Sequence, residues 1–265
     1  MHVTAPSTRS RRDKIGCVPA GLDGNFTPVV SAERTSVLNN VIAQLRNLGS
    51  TERPLLVGVD GIDGSGKSTF ADELASLLRV QDNRVDRSTI DSFHQPRATR
   101  AKRGATSPVG FFLDSHDLDG VRSHLLEPVM SGTGDYLVAM FDEPTDQPVH
   151  IEPRSVDDID VLIFDGIFLQ REELARFWDY VIFLDGQQRV DLRRLGLVLD
   201  ELPNKPTDVV AHVLEWGRKF DRYSSGMRYY LDLVNPAAAA DLVIDNNDLR
   251  HPRIIRCADS SRVPS

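Results

Sequence analysis

Apolar residues follow two kinds of pattern along this chain of 265 residues. Short, nearly continuous apolar runs predict buried parallel strands at residues 55–60, 161–165, 180–185 and 240–245, and the mixed segment 84–90 is interpreted as a further strand. Between these runs, apolar residues recur every three or four positions, which predicts helices. Strands that alternate with helices predict an α/β fold, a doubly wound five-stranded parallel sheet.

The two ends of the chain differ from this alternating middle. Residues 1–30 are rich in Ser, Thr, Pro, Gly and Arg without periodicity, so we expect a disordered tail. A leading helix is predicted at 31–48, with Ser31 as a candidate N-cap and Gly49 as its end. We interpret 251–265 as a polar C-terminal tail. One folded domain is therefore expected at 31–250.

Residues 92–152 form an insert between the second and third predicted strands. Short apolar pieces flank the polar segment 141–148 and predict a small antiparallel hairpin, whereas the basic segment 95–110 predicts a mobile loop. Residues 115–130 predict a helix. A later helix at 187–202 ends at Pro203 and Pro206, and we expect a helical lid region over 187–222.

Composition narrows the classes of partner. The net charge of −8 argues against a nucleic-acid-binding surface. The sequence contains no run of 18 apolar residues, so we expect no membrane-spanning helix. Cys17 and Cys257 form no metal-ligand spacing, and the arginine-rich N-terminus is not followed by the apolar stretch of a secretory signal. We expect a cytoplasmic protein that binds small molecules, and a homo-oligomer is left open.

Residues 61–68 match the phosphate-binding loop (P-loop) pattern G-x-x-x-x-G-K-[ST] without substitution. The glycines let backbone N–H groups face an anion, Lys67 can reach the β- and γ-phosphates, and the Ser68 hydroxyl can ligate Mg²⁺. The alternative is a Gly-rich turn with a chance Lys-Ser pair, but the preceding strand and following helix favour phosphate binding. The predicted nucleotide contacts are Gly61, Asp63, Gly64, Ser65, Gly66, Lys67, Ser68 and Thr69. ATP and Mg²⁺ are the expected cofactors.

A P-loop alone does not separate kinases from GTPases or ATP-driven motors. The chain is short, lacks an N-K-x-D guanine-reading motif, and places Asp91 at the end of the second predicted strand. A carboxylate there can accept the proton of an attacking hydroxyl, although a turn or N-cap role is an equally good interpretation. These features favour a small-molecule kinase.

The order of motifs resembles a known family. The P-loop is followed by Asp91-Ser92-Phe93-His94, His116-Asp117, a hairpin running from Phe141 to Asp146, and Asp165-Gly166-Ile167. This order is similar to that of the uridine kinase-like group of the phosphoribulokinase/uridine kinase family of P-loop kinases. The resemblance covers residues 55–245. It implies a phosphotransferase that uses ATP and Mg²⁺ to phosphorylate a hydroxyl of a nucleoside or related small molecule.

The resemblance also implies roles for individual residues. Asp91 would be the general base, Asp117 would bind ribose hydroxyls, and Asp165 with Gly166 would lie near the metal and sugar, with Ser68 and Asp165 as metal ligands. One or more of Arg189, Arg193 and Arg194 would act from the lid on the transferring phosphate. A solvated helix face is the alternative for these arginines.

The acceptor side departs from the family pattern. His94 stands where the family has Tyr, Phe141 replaces a Tyr, and Asp146 replaces a base-reading His. We expect these three positions to contact the acceptor, but the exchanges change the hydrogen bonds and argue against uridine itself. No H-x-x-H spacing occurs, so the histidines predict no metal set.

Two other functions remain open. A nucleoside monophosphate kinase of the thymidylate kinase type is suggested by the P-loop sequence and by Asp221-Arg222-Tyr223-Ser224, although this second motif falls late in the chain. A regulatory module that binds ATP without transferring phosphate is the other alternative.

Overall fold

The computed structural model describes residues 31–49, 52–186 and 206–258, and the structural statements below refer to these residues. The predicted tail 1–30 and the predicted helix with Arg189, Arg193 and Arg194 lie outside the described residues. The same holds for the last part of the predicted C-terminal tail.

A six-stranded sheet forms the centre of the protein. In chain order the strands are β1 (Leu55–Gly61), β2 (Val85–Thr89), β3 (Asp135–Tyr136), β4 (Phe141–Asp142), β5 (Gln147–Pro148), β6 (Arg154–Ser155), β7 (Val161–Asp165), β8 (Tyr180–Asp185), β9 (Leu242–Asp245) and β10 (Arg253–Cys257). The central sheet has the order β10-β9-β8-β1-β7-β2. Its β1, β2, β7, β8 and β9 pair in parallel. The predicted doubly wound parallel sheet of five strands is confirmed.

The sixth strand, β10, lies in the segment that the sequence assigns to a polar tail. It pairs antiparallel with β9 at the edge of the sheet. Its exposure alternates along the strand, and Ile254 packs against the core. An edge strand with one solvated face carries polar residues among its apolar ones, and the sequence of β10, Arg-Ile-Ile-Arg-Cys, is of this kind. Such a segment is not a continuous apolar run, so it is recognised as a strand only from its pairing with β9.

Helices cover both faces of the sheet. They are α1 (Ala32–Asn47), α2 (Lys67–Val80), α3 (Arg97–Arg100), α4 (Pro108–Asp114), α5 (Leu118–Val121), α6 (Glu127–Ser131), α7 (Glu172–Ala175), α8 (Pro206–Val234) and α9 (Pro236–Ala239). Ile90–Phe93 and Val156–Asp158 are 3₁₀ turns, and a π-helical segment, Arg122–Leu126, joins α5 to α6. One apolar core lies between the sheet and α1 and α2. A second lies between the sheet, the insert and α8, and a smaller third one is formed at β8 and β9.

The insert contains more regular structure than its sequence indicates. Segment 95–110, predicted as a loop, contains α3 and the start of α4. The predicted hairpin is present as β4 and β5, with Phe141 opposite Pro148. It is attached to the turn after β2, because the backbone N–H of Met140 donates to the carbonyl of Ser92 at 2.9 Å. The hairpin therefore lies directly beside the turn that carries Asp91.

Helix α8 is continuous, whereas the sequence predicts a helix at 207–219 followed by a separate segment. Ser224, Ser225 and Gly226 lower the intrinsic helix propensity at that point. Packing overrides this preference, because α8 lies against α4. A Cβ atom at Gly226 would be 2.6 Å from the ring of Phe111 and 2.9 Å from the carbonyl oxygen of Pro108. Only glycine allows the two helices to approach so closely.

Candidate active site

The P-loop connects the C-terminal end of β1 to the first residue of α2. Gly64 and Gly66 have φ angles of 76° and 85°, a region that favours glycine. The side-chain amide of Asn246 donates to the carbonyl of Ser65 at 2.6 Å, which fixes the loop from below. No side chain of the described residues caps α2 at Gly66. The first N–H groups of α2, around Ser68 and Thr69, can therefore face a phosphate.

Lys67 is buried at the start of α2 and is only 8% exposed. Its Nζ donates to the carbonyl oxygen of Ile62 at 2.9 Å. Burial lowers the pKa of Lys67, and the nearby carboxylates oppose this shift, in decreasing order Asp63, Asp60, Asp165 and Asp91. The predicted base Asp91 therefore lies within electrostatic reach of the phosphate-binding lysine.

Ser68 and Asp165 form a pair of oxygen ligands. The Ser68 hydroxyl donates to Asp165 Oδ2 at 2.7 Å, and Arg87 Nη2 contacts Asp165 Oδ1 at 2.9 Å. Arg87 also pairs with Asp72 of α2 at 3.0 Å, so it holds the end of β7 against this helix. A hydroxyl and a carboxylate oxygen at this separation fit a hard cation such as Mg²⁺. Sequence analysis did not identify Arg87.

Asp91 lies in the 3₁₀ turn that follows β2. Thr89 caps this turn, since its Oγ1 accepts from the N–H of Asp91 at 3.4 Å, and Asp91 is therefore not the N-cap. His94 ends the turn, and its Nδ1 is 2.8 Å from the carbonyl oxygen of Asp91. The rings of His94 and His116 have centroids 4.6 Å apart. The structure thus brings together two histidines from separate segments.

Asp117 begins α5 beside the same turn. Its carboxylate accepts from the N–H of Gly120 at 3.1 Å, and its own N–H donates to the carbonyl of Phe93 at 2.8 Å. A Cβ atom at Gly120 would be 2.5 Å from Asp117 Oδ2, so this glycine makes room for the carboxylate. Asp117 is therefore a helix cap that directly follows His116 and is hydrogen-bonded through its backbone to the turn that carries Asp91.

Three other predicted acceptor residues have structural contacts. Phe141 is buried in β4. Asp146 lies in the hairpin turn, where its Oδ1 accepts from the backbone N–H of Arg97 at 2.7 Å and lies 3.6 Å from Arg100. Gly166 packs against Ile90, and a Cβ atom there would be 2.3 Å from Ile90 Cγ2. Asp146 is thus directed to α3.

Arg222, in the motif that suggested a nucleotide kinase, packs α8 against the insert. Its Nη1 donates to the carbonyl of Ala105 at 2.6 Å, and its guanidinium lies 5.8 Å from the ring centroids of Phe111 and Tyr223. Burial lowers the pKa of Arg222. The motif therefore has a packing role in this fold.

A protein-family comparison agrees with this arrangement. The family model described as the phosphoribulokinase/uridine kinase family matches residues 56–195, which include β1, the P-loop, the insert, β7 and β8. The chain belongs to this family. The relatives described in the next paragraph are small-molecule kinases. The protein is a small-molecule kinase as well. In the described part of the chain, no helix combines the length and apolar character needed to cross a membrane.

Individual relatives in the phosphoribulokinase/uridine kinase family differ in their substrates. A uridine kinase from Lactobacillus helveticus is 25% identical over 215 residues, which cover 75% of this chain and 94% of that protein. A pantothenate kinase from Rhodopseudomonas palustris is 32% identical over 163 residues, which cover 56% of this chain and 51% of that protein. The chain thus spans about half the length of that pantothenate kinase.

The fold is also similar to that of a solved structure, a possible uridine kinase from Bacillus stearothermophilus. Its TM-score is 0.58 at 24% identity, and the match covers 80% of this chain and 96% of that one. This similarity supports the fold.

In this kinase, a buried polar cluster lies behind the P-loop. Sequence analysis did not identify this cluster. Asp60, at the end of β1, accepts hydrogen bonds from the Tyr230 hydroxyl, from Gln170 Nε2 at 2.9 Å and from the N–H of Gly61 at 2.8 Å. The Tyr230 hydroxyl accepts in turn from the N–H of Gln170 at 3.0 Å. The only sequence signal was a carboxylate that ends an apolar strand next to the P-loop.

The cluster is electrostatically unusual. Asp60 is completely buried, and this burial raises the pKa of its carboxyl although the three hydrogen bonds lower it. Burial and the neighbouring Asp60 raise the pKa of Tyr230 well above its ordinary value. The cluster joins β1, the segment after β7 and α8 at one point.

Proposed function

We propose that this kinase transfers the γ-phosphoryl group of ATP to a hydroxyl of a nucleoside or a related small molecule. The observation that supports this most directly is the position of Asp91. Its carboxylate is close enough to Lys67 to raise the pKa of that lysine, and it lies within 4.8 Å of ring nitrogens of His94 and His116 in the insert. A base between donor and acceptor groups is what phosphoryl transfer to an alcohol needs.

The donor side of the site is built by the P-loop. The backbone N–H groups at the start of α2 and the ammonium of Lys67 would hold the β- and γ-phosphates. Ser68 and Asp165 would hold Mg²⁺, which neutralises phosphate charge and orients the triphosphate when bound. Arg87 keeps Asp165 in place through its contact with Oδ1. One or more of Arg189, Arg193 and Arg194 would complete the charge neutralisation from the lid.

In the transfer step, residues on the acceptor side would accept the proton and orient the acceptor. The acceptor oxygen attacks the γ-phosphorus while its proton passes to the Asp91 carboxylate, and the bond from phosphorus to the leaving oxygen of ADP breaks. His94 and Asp117 would orient the acceptor beside Asp91. Mutual positioning of donor and acceptor supplies most of the acceleration in this class of reaction.

The acceptor is proposed only as a class. The relatives are called uridine kinase and pantothenate kinase, and both names refer to small molecules. In this chain, Phe141 presents no polar group and Asp146 binds α3, so we do not propose base recognition by the hairpin as in the resemblance. The packing role of Arg222 gives no support to a nucleoside monophosphate kinase.

An acceptor screen tests the proposal. ADP release would be measured with Mg·ATP and a panel of nucleosides, nucleoside monophosphates, pantothenate and sugars, and each product identified by its mass. We expect a non-phosphorylated alcohol to stimulate ADP release. Stimulation by monophosphates alone would favour a nucleotide kinase, and ATP binding without stimulation by any acceptor would favour a regulatory module.

The Asp91→Asn variant tests the base. We expect turnover to fall about 100-fold or more while ATP affinity is retained, because the amide cannot accept the proton. Asp119→Asn is the matched control, since Asp119 is an exposed carboxylate of the same insert that pairs with Arg122 at 3.2 Å. Its turnover should equal that of the wild type. Wild-type turnover in Asp91→Asn would contradict the role of Asp91.

A further inference from the structure

The acceptor side contains a cluster with an unexpected set of ligands. Asp91, His94 and His116 each offer one ligand atom, and these atoms lie within 4.8 Å of one another. We propose that the three side chains bind a first-row transition-metal ion such as Zn²⁺, at a site separate from the oxygen pair of Ser68 and Asp165. The spacing along the chain predicts no such set, because the histidines come from different segments.

The backbone holds the two histidines side by side. His94 and His116 face each other in an isolated antiparallel bridge. On either side of it, the N–H of Gln95 donates to the carbonyl of Ser115 at 2.9 Å, and the N–H of Asp117 donates to that of Phe93 at 2.8 Å. The two imidazoles therefore share one side of a short, hydrogen-bonded ladder, and their positions are largely fixed before a ligand binds.

His94 has its ring oriented for metal binding. Its Nδ1 lies 2.8 Å from the carbonyl oxygen of Asp91, and a carbonyl can only accept, so Nδ1 carries the proton. Nε2 then keeps its lone pair. Histidine ligands commonly donate their other ring N–H to a carbonyl or carboxylate, which fixes the tautomer and the ring. His94 has this arrangement within its own turn.

His116 is held more rigidly than the other two side chains. It is 8% exposed, and its ring packs at 6.4 Å between centroids against Phe168 of the apolar core. Zn²⁺ ligands at about 2.0–2.1 Å from the metal lie roughly 3.4 Å from each other. The two more exposed ligands, Asp91 and His94, would therefore close by at most about 1.4 Å toward His116 when the metal binds.

The ligand set selects the type of ion. Two imidazoles and one carboxylate suit Zn²⁺ and similar borderline-soft ions, with the fourth position left to water. Mg²⁺ prefers oxygen ligands in octahedral geometry and is expected at Ser68 and Asp165. The two sites differ in chemistry, so saturating Mg²⁺ should not remove Zn²⁺ from the histidine pair.

A metal at this site would affect transfer. A carboxylate that coordinates Zn²⁺ cannot accept the proton of the acceptor hydroxyl, so the ion should inhibit the reaction. This consequence rests on the proposed function, because it needs Asp91 to be the base. Metal binding itself does not depend on it.

Binding is tested first, on the full chain stripped of metal and kept in saturating Mg²⁺. Zn²⁺ would be titrated calorimetrically, and Co²⁺ would be followed by its visible absorption, which reports nitrogen ligation in a four-coordinate site. We expect one equivalent per chain. Affinity should fall at least about 10- to 100-fold in His94→Gln and His116→Gln, because loss of a group that only supports a ligand already costs that much, and these histidines are the ligands themselves. His124→Gln, an exposed histidine of the same insert, is the control and should bind as the wild type does.

Circular dichroism and thermal unfolding would check that both cluster variants fold, and the half-exposed His94 gives the safer variant. Equal Zn²⁺ affinity in His94→Gln, His116→Gln and His124→Gln would overturn the proposal, as would absence of Zn²⁺ binding to the wild type. Binding with unchanged Co²⁺ spectra in both cluster variants would overturn it as well.

The kinetic test uses each variant's own uninhibited rate as reference. Zn²⁺ should inhibit the wild type and His124→Gln at similar concentrations, a chelator should reverse this, and His94→Gln should need at least about 10-fold more Zn²⁺. Failure of transfer with every acceptor would refute the proposed function and leave the binding test intact. Failure of Zn²⁺ to bind would refute the metal site and leave the transfer intact.

Discussion

At the scale of single residues, Gly166 shows how packing can determine the identity of a site residue. The family resemblance implies that Gly166 lies near the metal and the sugar. The structure shows that its missing side chain makes room for Ile90, which immediately precedes Asp91. The N–H of Gly166 also donates to the carbonyl of Val59 at 3.1 Å. Gly166 therefore sets the distance between the end of β7 and the turn that carries Asp91.

Gly166→Ala should lower the free energy of unfolding by about 1–3 kcal/mol, the usual cost of overpacking a well-packed site, and should also lower turnover. Urea denaturation and kinase assays would measure the two effects. Gly186→Ala is the control, because the nearest described atom to its Cβ atom, Asn247 Oδ1, would be 3.7 Å away. Equal stability of the two variants would contradict the packing role.

The P-loop residues were predictable because their chemistry is contained in eight consecutive positions. Asp60 was not, since its role depends on Gln170 and Tyr230, which are distant in the sequence. His94 and His116 were not recognised as a pair for the same reason. A carboxylate or imidazole has no function that can be read from its sequence neighbours when its partners come from other segments.

At the scale of elements, the five parallel strands were predictable, whereas the continuity of helix α8 and the edge strand β10 were not. A strand buried on both faces is a continuous apolar run, and β7 and β8 are of this type. The continuity of α8 depends on its fit against α4 at Gly226, and the identity of β10 depends on pairing with β9. Tertiary contacts decide both, so local patterns give the wrong boundary.

Tyr230→Phe tests the attachment of α8 to the P-loop strand. The change removes one donor to buried Asp60 and one acceptor for the N–H of Gln170, so we expect a loss of about 1–3 kcal/mol in the free energy of unfolding. ATP affinity should fall as well, because Asp60 directly precedes the P-loop. Tyr229→Phe is the control, since Tyr229 is 43% exposed. Chemical denaturation and nucleotide titration would measure these effects, and identical behaviour of the two variants would refute the coupling.

At the scale of the whole molecule, one buried arginine joins three parts of the chain. Arg34 of α1 pairs with Glu73 of α2 and donates to Asn246 Oδ1 at 3.1 Å and to the carbonyl of Leu249 at 3.2 Å. Asn246 also fixes the P-loop through Ser65. The leading helix, the P-loop helix and the segment after β9 are thus held by a single guanidinium.

Arg34→Met should destabilise the protein by about 3–5 kcal/mol, because it leaves the buried Glu73 carboxylate without this cation. The double variant Arg34→Met/Glu73→Leu should recover most of that loss, since apolar replacement of a buried pair is often tolerated. Arg46→Met, on the exposed face of α1, is the control and should change little. Thermal and urea unfolding would report all three. A stable Arg34→Met variant would refute the role of this pair.

The close contact between α8 and α4 at Gly226 lies near the C-terminal end of α8, so most of the helix extends from this contact toward Pro206. From Gly226 to the start of the helix at Pro206 is about 30 Å at 1.5 Å per residue. A rotation of roughly 5° about the contact with α4 would carry the Pro206 end about 2.6 Å, while the Tyr230 end, anchored to Asp60, moves only a fraction of that. Any rotation of α8 about this contact would therefore displace its N-terminal end about five times as far as its attachment to Asp60.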